Sequence, residues 1–546
     1  MATEATNPSE STGLPSEIAD LQVKISNFKD EVRDITDLCF GFSIYEDLFA
    51  PTSSIELMIV DAEGLLEQTP IIGDEHVTIT YRTRGIKNKN YKGQGTEILQ
   101  DGSTGELYEV RVRSYQIYKL SKKQEVEERQ HAYVLHGVDD HQVINEMIDL
   151  NESYVGQNCI KAIDSIFKSS FIKNVNDTFR PFNIQPKLNG IERDDPIEST
   201  NSSFYIAPGV TPFESIMHLM QEAEHKETSL KNNSDYVFYQ DYQGFHLTTL
   251  SELKSAPTKF DFTVKDMGAN IDSKNDGTSK SDGDSGDEMT AVLEFDINKN
   301  FDTIQHLSLG TYGNRVAAID LLTKRFDERS FSYGTAHQSL NPMGLGKLHS
   351  NDSLYRFSGS THTRFIPTEL LSSSIPTGEP TSFTNELSSY SQHPYFYPVG
   401  GSGKEEGTLA NDAAAEKRDS IVKNDPKIAN PRRKQYLLNK RISGKGILDT
   451  VILDLKIPGN SDIKVGDTIN FFVPQTSRES IAYNDLFGAG KSSEDSPKFL
   501  VVKLNQKYVN EVSSYHTILT IVKDGYAISP EAALEKVKED RSQSSD

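Results

Sequence analysis

Few residues in this chain are spaced for chemistry, and each candidate set fails on a specific requirement. His136, Asp139, Asp140 and His141 fall within six positions, and two imidazoles with two carboxylates could ligate a metal. His136 however reads as the end of a strand and His141 as the start of a helix, and no cysteine is near, so no metal site is expected. The acidic loop with Asp272, Asp276, Asp282 and Asp284 invites comparison with a calcium loop. Taking Asp272 as first ligand puts Lys274 at the third position and Gly283 at the twelfth, where carboxylates are needed, so a solvated loop is expected. Gly400-Gly-Ser-Gly403-Lys404 resembles a phosphate loop only in part. The first glycine of that pattern would fall on Pro398, and Lys404 is followed by Glu405 instead of Ser or Thr. There is no Gly-x-Ser-x-Gly elbow and no His-Glu-x-x-His motif. The 80 acidic residues single out no pair placed for glycoside cleavage. Arg432-Arg433-Lys434 reads as a salt-bridged surface cluster. The expectation is a protein without catalytic residues, metal or cofactor, and not an enzyme.

Bulk properties narrow the class further. A chain of 546 residues holds roughly two to four domains of about 150 residues. The 26 Phe and 23 Tyr supply large core pieces that fit strands better than helices. A net charge of −23 argues against gripping nucleic acid, which takes clustered Lys and Arg. It leaves open a passage through which DNA slides without sticking. Cys39 and Cys159 sit among apolar neighbours and read as buried thiols. The N-terminal dozen residues lack the basic and apolar regions of a signal peptide, and no apolar run is long enough to span a bilayer. A soluble protein made in a reducing cytoplasm is expected.

The elements that could position anything are mostly strands. Residues 42–66 alternate apolar and polar side chains, turn, alternate again, and end in Asp61-Ala-Glu-Gly64, the pattern of a half-buried hairpin. Further strands are expected at Leu21–Ile25, His76–Tyr81, Glu109–Ile117 and His131–Leu135. Helices are expected at Asp139–Leu150, Asn158–Phe167 and Pro212–Glu224, the last with Pro212 in its first turn and an apolar stripe through Phe213, Ile216 and Met220. Residues 235–247 read as an aromatic hairpin turning at Asp241-Tyr-Gln-Gly244, its rings facing a core. A closing β unit runs from about 435 to 525, with strands expected over Ile447–Ile457, Lys464–Val473, Lys498–Leu504 and Tyr515–Val522. Residues 1–17, 84–106, 265–290 and 335–430 read as polar arm, insertion or loop, and 526–546 as a charged tail.

Several segments, taken in order, resemble one family. These are Ile44-Tyr-Glu-Asp-Leu-Phe-Ala-Pro-Thr52 with Asp61-Ala-Glu-Gly-Leu-Leu-Glu67 and Pro70-Ile-Ile-Gly-Asp-Glu75, then Ile206–Phe213 with its helix and the aromatic hairpin. Gln305–Asp320 and Ile457–Asp467 complete the series. Together they resemble the baseplate central hub proteins of contractile-tailed bacteriophages of the T-even type.

The resemblance implies a mainly β fold with α+β insertions. Two tube-like antiparallel β-barrel domains would lie at 18–140 and at 203–261 with 435–525. An intervening α+β domain would take 141–202 and 262–434. It implies a homotrimeric hub that adapts the hexameric tail tube to a trimeric central spike, beside other baseplate proteins, with DNA passing through the channel without specific binding. The location implied is the virion tail, assembled in the host cytoplasm. Tyr45, Glu46, Phe49, Pro51, Asp61, Leu65, Leu66, Asn460 and Asp467 are the expected assembly surface. Two other readings stand beside it: a tail-associated cell-wall-degrading enzyme, for which no compact helical domain with paired acids is seen, and the hub of a related injection machine, in which hub and spike are often fused.

Overall fold

Alternation of apolar side chains drives the strands into one large sheet. The computed structural model describes residues 18–84, 108–172, 202–224, 234–264, 291–333, 431–472 and 498–525, apart from short gaps, together with 97–98, 104–105, 188–189, 340, 342–343 and 391–394. The expected arm at 1–17, nearly all of the 84–106 insertion and the 335–430 region, the 265–290 loop and the 526–546 tail lie outside these residues.

The N-terminal strands are β1 (Ile18–Ser26), β2 (Val32–Asp34), β3 (Cys39–Asp47), β4 (Ser54–Asp61) and β5 (His76–Arg84), then the short pair β6 (Glu97–Ile98) and β7 (Thr104–Gly105), then β8 (Tyr108–Glu127) and β9 (Gln130–Val138). Apart from the short pair they order as β2-β1-β5-β8-β9-β4-β3 with every ladder antiparallel. In β4, Ile55, Leu57 and Ile59 point into a core and the residues between them do not, the period of two that a half-buried strand requires. The expected strand at 109–117 is longer than its apolar pattern. It runs on to Glu127, paired with β9 well past the point where β5 leaves it at Gln116.

A second body follows. It holds α2 (Asp140–Met147), β10 (Ser153–Asn158), α3 (Cys159–Phe167), β11 (Leu188–Asn189), β12 (Ser202–Ile206), α4 (Pro212–Glu222), the hairpin β13 (Tyr236–Asp241) and β14 (Gly244–Thr249), and α5 (Leu250–Ser255). Side chains cap the helices as their sequences suggest: Asp139 accepts from the His141 amide, Asn158 from Ile160 and Thr211 from Glu214. Cys159, Ile163, Phe167, Phe213, Ile216 and Phe238 share one core. Residues 203–223 pack with 150–171 through β10–β12 pairing and that core, whereas the hairpin is shared: Phe238, Phe245 and Leu247 join that core, and Val237, Tyr239 and Leu250 join the core of the closing strands, to which the segment from Phe260 also adds. The physical reason is the stripe on α4, whose best complement is the equally apolar face of α3.

The closing strands are β15 (Phe260–Val264), β16 (Ala291–Val292) and β17 (Glu294–Lys299), then β18 (Gly313–Asp320), β19 (Arg325–Ser332) and β20 (Ser391–Pro394) in a sheet of their own, then β21 (Val451–Pro458), β22 (Thr468–Phe472), β23 (Lys498–Val509) and β24 (Ser514–Lys523). They run β15-β22-β23-β24-β21-β17. The N-terminal strands run β1-β5-β8-β9-β4-β3. Numbered by chain order within each six-strand group, both read 1-4-5-6-3-2. Details repeat as well. The bulge between Ile117 and Lys119 on β8 has its counterpart between Val501 and Lys503 on β23. The Ile117 amide donates to the Glu75 carbonyl as that of Val501 donates to Asp467. In each group one segment reaches both ends of the order: β2 lies on β1 while β3 lies on β4, and β16 lies on β15 while β17 lies on β21. The groups differ in their first strand, since β1 is antiparallel to β5 whereas β15 is parallel to β22. The fold is thus mostly β, with one large sheet whose ladders are antiparallel except at β15.

Candidate assembly junction

The two groups meet strand to strand. β3 pairs antiparallel with the second half of β23, from Lys503 opposite Asp47 to Val509 opposite Gly41. The backbones come close at Gly41, where a Cβ would stand 2.4 Å from the Tyr508 carbonyl oxygen, so the small residue is required by space. Aromatic rings fill the seam: Phe42 lies 5.7 Å from Tyr81 and 5.4 Å from Tyr508, centroid to centroid. The Tyr81 hydroxyl donates to Gln506 Oε1 at 2.9 Å. At the exposed margin Lys503 Nζ sits 3.3 Å from Asp47 Oδ2.

A polar network lies behind this seam and holds the hairpin β13–β14 against both groups. Glu46 of β3 is ion-paired with Arg113 of β8, and both are buried. Burial pushes the Glu46 carboxyl above the ordinary carboxylate range, against the opposing pull of Arg113. Arg111 donates to the Ser461 carbonyl at 3.1 Å and places its guanidinium 3.7 Å from the centroid of the Tyr242 ring. Lys464 Nζ lies 4.5 Å from the same centroid and 3.7 Å from Asp241 Oδ2. Tyr242, at the hairpin tip, is therefore held between cations from the two groups. Burial would raise Asp241, but the hydrogen bond and charge of His246 together with Lys464 hold its carboxyl below the usual range. Gln240 completes the contact, accepting from the Ser53 amide at 3.0 Å and donating to Asp139 at 2.7 Å.

The expected surface residues divide by burial. Tyr45 is exposed on β3 and donates its hydroxyl to Glu56 at 3.1 Å; Phe49 is exposed, with Lys445 Nζ 5.1 Å from its ring centroid. Pro51 and Leu66 are half-buried. Glu46, Asp61, Leu65, Asn460 and Asp467 are interior and offer no surface. Glu46 belongs to the network above. Asp61 accepts from the amides of Glu63 and Leu65 at 3.1 and 2.9 Å, capping α1 (Leu65–Gln68), and Leu65 is in the N-terminal core. The Asn460 amide donates to Thr517 Oγ1 and its own Oδ1 accepts from the Asp462 amide, while Asp467 is ion-paired with Lys259. Burial raises the Asp467 carboxyl although Lys259 opposes the shift. Replacing Asp61 by Ala is expected to cost about 2 kcal/mol in urea unfolding, as a lost helix cap does, and to leave the association state of the protein unchanged.

The sequence pointed to none of Arg111, Arg113 or Tyr242 as a group. The one available signal was the tight aromatic hairpin around Tyr242. His136 and His141 are absorbed structurally: His136 Nε2 lies 2.7 Å from Ser121 Oγ, and the buried His141 bonds the Asp139 cap. Among the described residues no group of three His, Cys, Asp or Glu could hold a metal, and no helix is long and apolar enough to cross a membrane. Cys39 and Cys159 are buried and outside any disulfide, with burial pushing the Cys39 thiol up to about 12.

No protein-family model matches the sequence, and no curated protein matches it. Among solved structures, the tail protein from Neisseria meningitidis MC58 is similar at 10% identity and a TM-score of 0.43, over 93% of this chain and 99% of that one. The 43 kDa tail protein of prophage MuSo2 from Shewanella oneidensis is similar at 10% identity and a TM-score of 0.41, over 92% and 98%. The E. coli c3393 protein, described as a type VI secretion component with structural similarity to the T4 tail proteins gp27 and gp5, follows at 7% identity and a TM-score of 0.33, over 92% and 76%. The structural neighbours are thus phage tail and type VI secretion proteins.

Proposed function

We propose that this chain is the structural hub of a phage baseplate. In this reading each six-strand group is a tube-like barrel, and three chains set six such barrels in a ring. One face of the ring continues the hexameric tail tube, the other seats a trimeric spike, and DNA passes through the centre. The protein is a non-enzymatic virion tail component.

One observation carries the reading. The two groups follow the same strand order, and β3 and β23 join them edge to edge with the same sense, so that β3 and β17 run alike relative to their own neighbours. Units related in that way repeat around an axis. A ring also covers strand edges that an isolated sheet would leave open to aggregation. The net charge of −23 suits a lumen that DNA must cross without adhering.

The mass of the purified protein in solution tests the proposal, taken by light scattering at increasing concentration with and without a trimeric spike. Three chain masses are expected, with ring-shaped particles in electron micrographs. A protein that stays monomeric under both conditions, or one that clears peptidoglycan in a zymogram, would overturn it.

A further inference from the structure

The junction inside one chain is a template for the junction between two. Its parts are strand 2 of the first group, β3, and the second half of strand 5 of the other group, β23. Each part has an equivalent elsewhere in the molecule. Strand 2 of the closing group is β17, which pairs with β21 on one side; among the described residues no ladder uses its other edge. Strand 5 of the N-terminal group is β8. Beyond Gln116 it leaves β5 and pairs with β9 alone among the described residues, so its edge from Ile117 to Glu127 stands where the corresponding edge of β23 receives β3.

We infer that β17 of one copy of this chain adds to the 117–127 edge of β8 in the next copy, antiparallel, as β3 adds to β23 within the chain. The inference rests on the ring proposed above and names its contact.

Three observations support it. The sense is right, because β17 runs relative to β21 as β3 runs relative to β4, and β8 relative to β9 as β23 relative to β24. The register transfers through the shared bulge, which makes Lys119 the counterpart of Lys503 and Ser121 that of Asn505. Since Asn505 faces Tyr45 in the chain, and Tyr45 of β3, opposite Ser54 of β4, corresponds to Lys299 of β17, opposite Ile452 of β21, Ser121 should face Lys299 of the neighbour. Finally, large apolar side chains are exposed on both partners: Tyr118 and Val126 at 56% and 57% on β8, and Phe301 and Ile304 at 62% and 81% just after β17. Because the two surfaces differ, the contact is head-to-tail, the kind that makes a ring when its rotation closes, where a two-fold contact would use one patch twice. A strand edge that no ladder uses among the described residues supplies the affinity through its backbone amides and carbonyls.

Cysteines placed at Ser121 and Lys299, joined by a short bis-maleimide reagent, test the pairing on the full chain. Ser121→Cys with Lys299→Cys should give covalent species up to three chains. Each single variant alone should give only monomer, and an equal mixture of the two should give a covalent dimer and nothing larger. A trimeric wild type whose double variant does not cross-link, or a single variant that cross-links to itself, would overturn this contact and leave the ring standing. A wild type that is monomeric throughout would overturn both. As a second measurement, Tyr118→Glu, on the exposed β8 edge, should raise the concentration needed for association at least tenfold. Unchanged association in this variant would also count against the contact.

Discussion

Replacing Arg113 by leucine is expected to lower the unfolding free energy by about 3–5 kcal/mol, because it leaves the Glu46 carboxylate buried without its counter-charge. Relative exposures of 8% for Arg113 and 3% for Glu46 leave no route for water to take over the lost interaction. Urea unfolding of the single and double variants separates charge from packing. Arg113→Leu with Glu46→Leu removes both charges at once and should recover most of the loss, since a buried ion pair is often no better than apolar groups of similar volume. The pH dependence has a definite sign. Glu46 titrates above its usual value in the folded protein because burial outweighs the attraction of Arg113. The folded state therefore holds this proton more tightly than the unfolded chain, and stability from this group falls as pH rises through the window above 4.5. Removing Arg113 widens that window upward. The deficit of Arg113→Leu relative to wild type should accordingly be smaller at pH 5 than at pH 8. A deficit that does not change with pH would mean that Glu46 is not the group left behind.

Phe42→Ala is expected to cost about 3–5 kcal/mol, the range for deleting a large buried ring. Its particular effect is on the seam. The ring is buried between Tyr81 of the N-terminal group and Tyr508 of the closing group, so its loss opens a cavity where the two sheets meet. Amide hydrogen exchange should show protection falling along the β3–β23 ladder, from Ser43 to Asp47 and from Lys503 to Tyr508, more than along β4–β9. Tyr45→Ala, on the exposed face of the same strand, should change stability by no more than about 0.5 kcal/mol. If the two substitutions cost the same, the seam is not where Phe42 acts. Weakening the seam should also loosen association, since the same geometry is proposed between copies.

Much of the secondary structure was legible because it depends on near neighbours. The alternation through Ile55, Leu57 and Ile59 names a half-buried strand without knowledge of its partner, and Asp139, Asn158 and Thr211 announce the helices they cap. The hairpin around Tyr242 was readable from its turn, and its rings do pack inward. The candidate surface was less legible. Glu46 looks like an exposed charge because the residue that neutralises it, Arg113, lies on β8, 67 residues further along the chain. Asp61 and Asn460 look available because turn residues often are, yet their side chains are spent on the amides of their own turns.

The extension of β8 to Glu127 was hidden for a related reason. Its residues past Ile117 are mostly Lys, Glu and Gln, which carry no apolar period, and their strand conformation is imposed by β9. The packing of α4 on α3 was hidden as well, because an apolar stripe states that a face will be covered but not by what. The sequence by itself determined many of the strands and helices and where their apolar faces lie. The tertiary structure alone decided that two distant sets of six strands take the same path and that β3 meets β23 along one edge. Strand pairing between remote segments depends on the fit of whole faces and on edges left open by every other pairing, and neither quantity exists until the chain has folded.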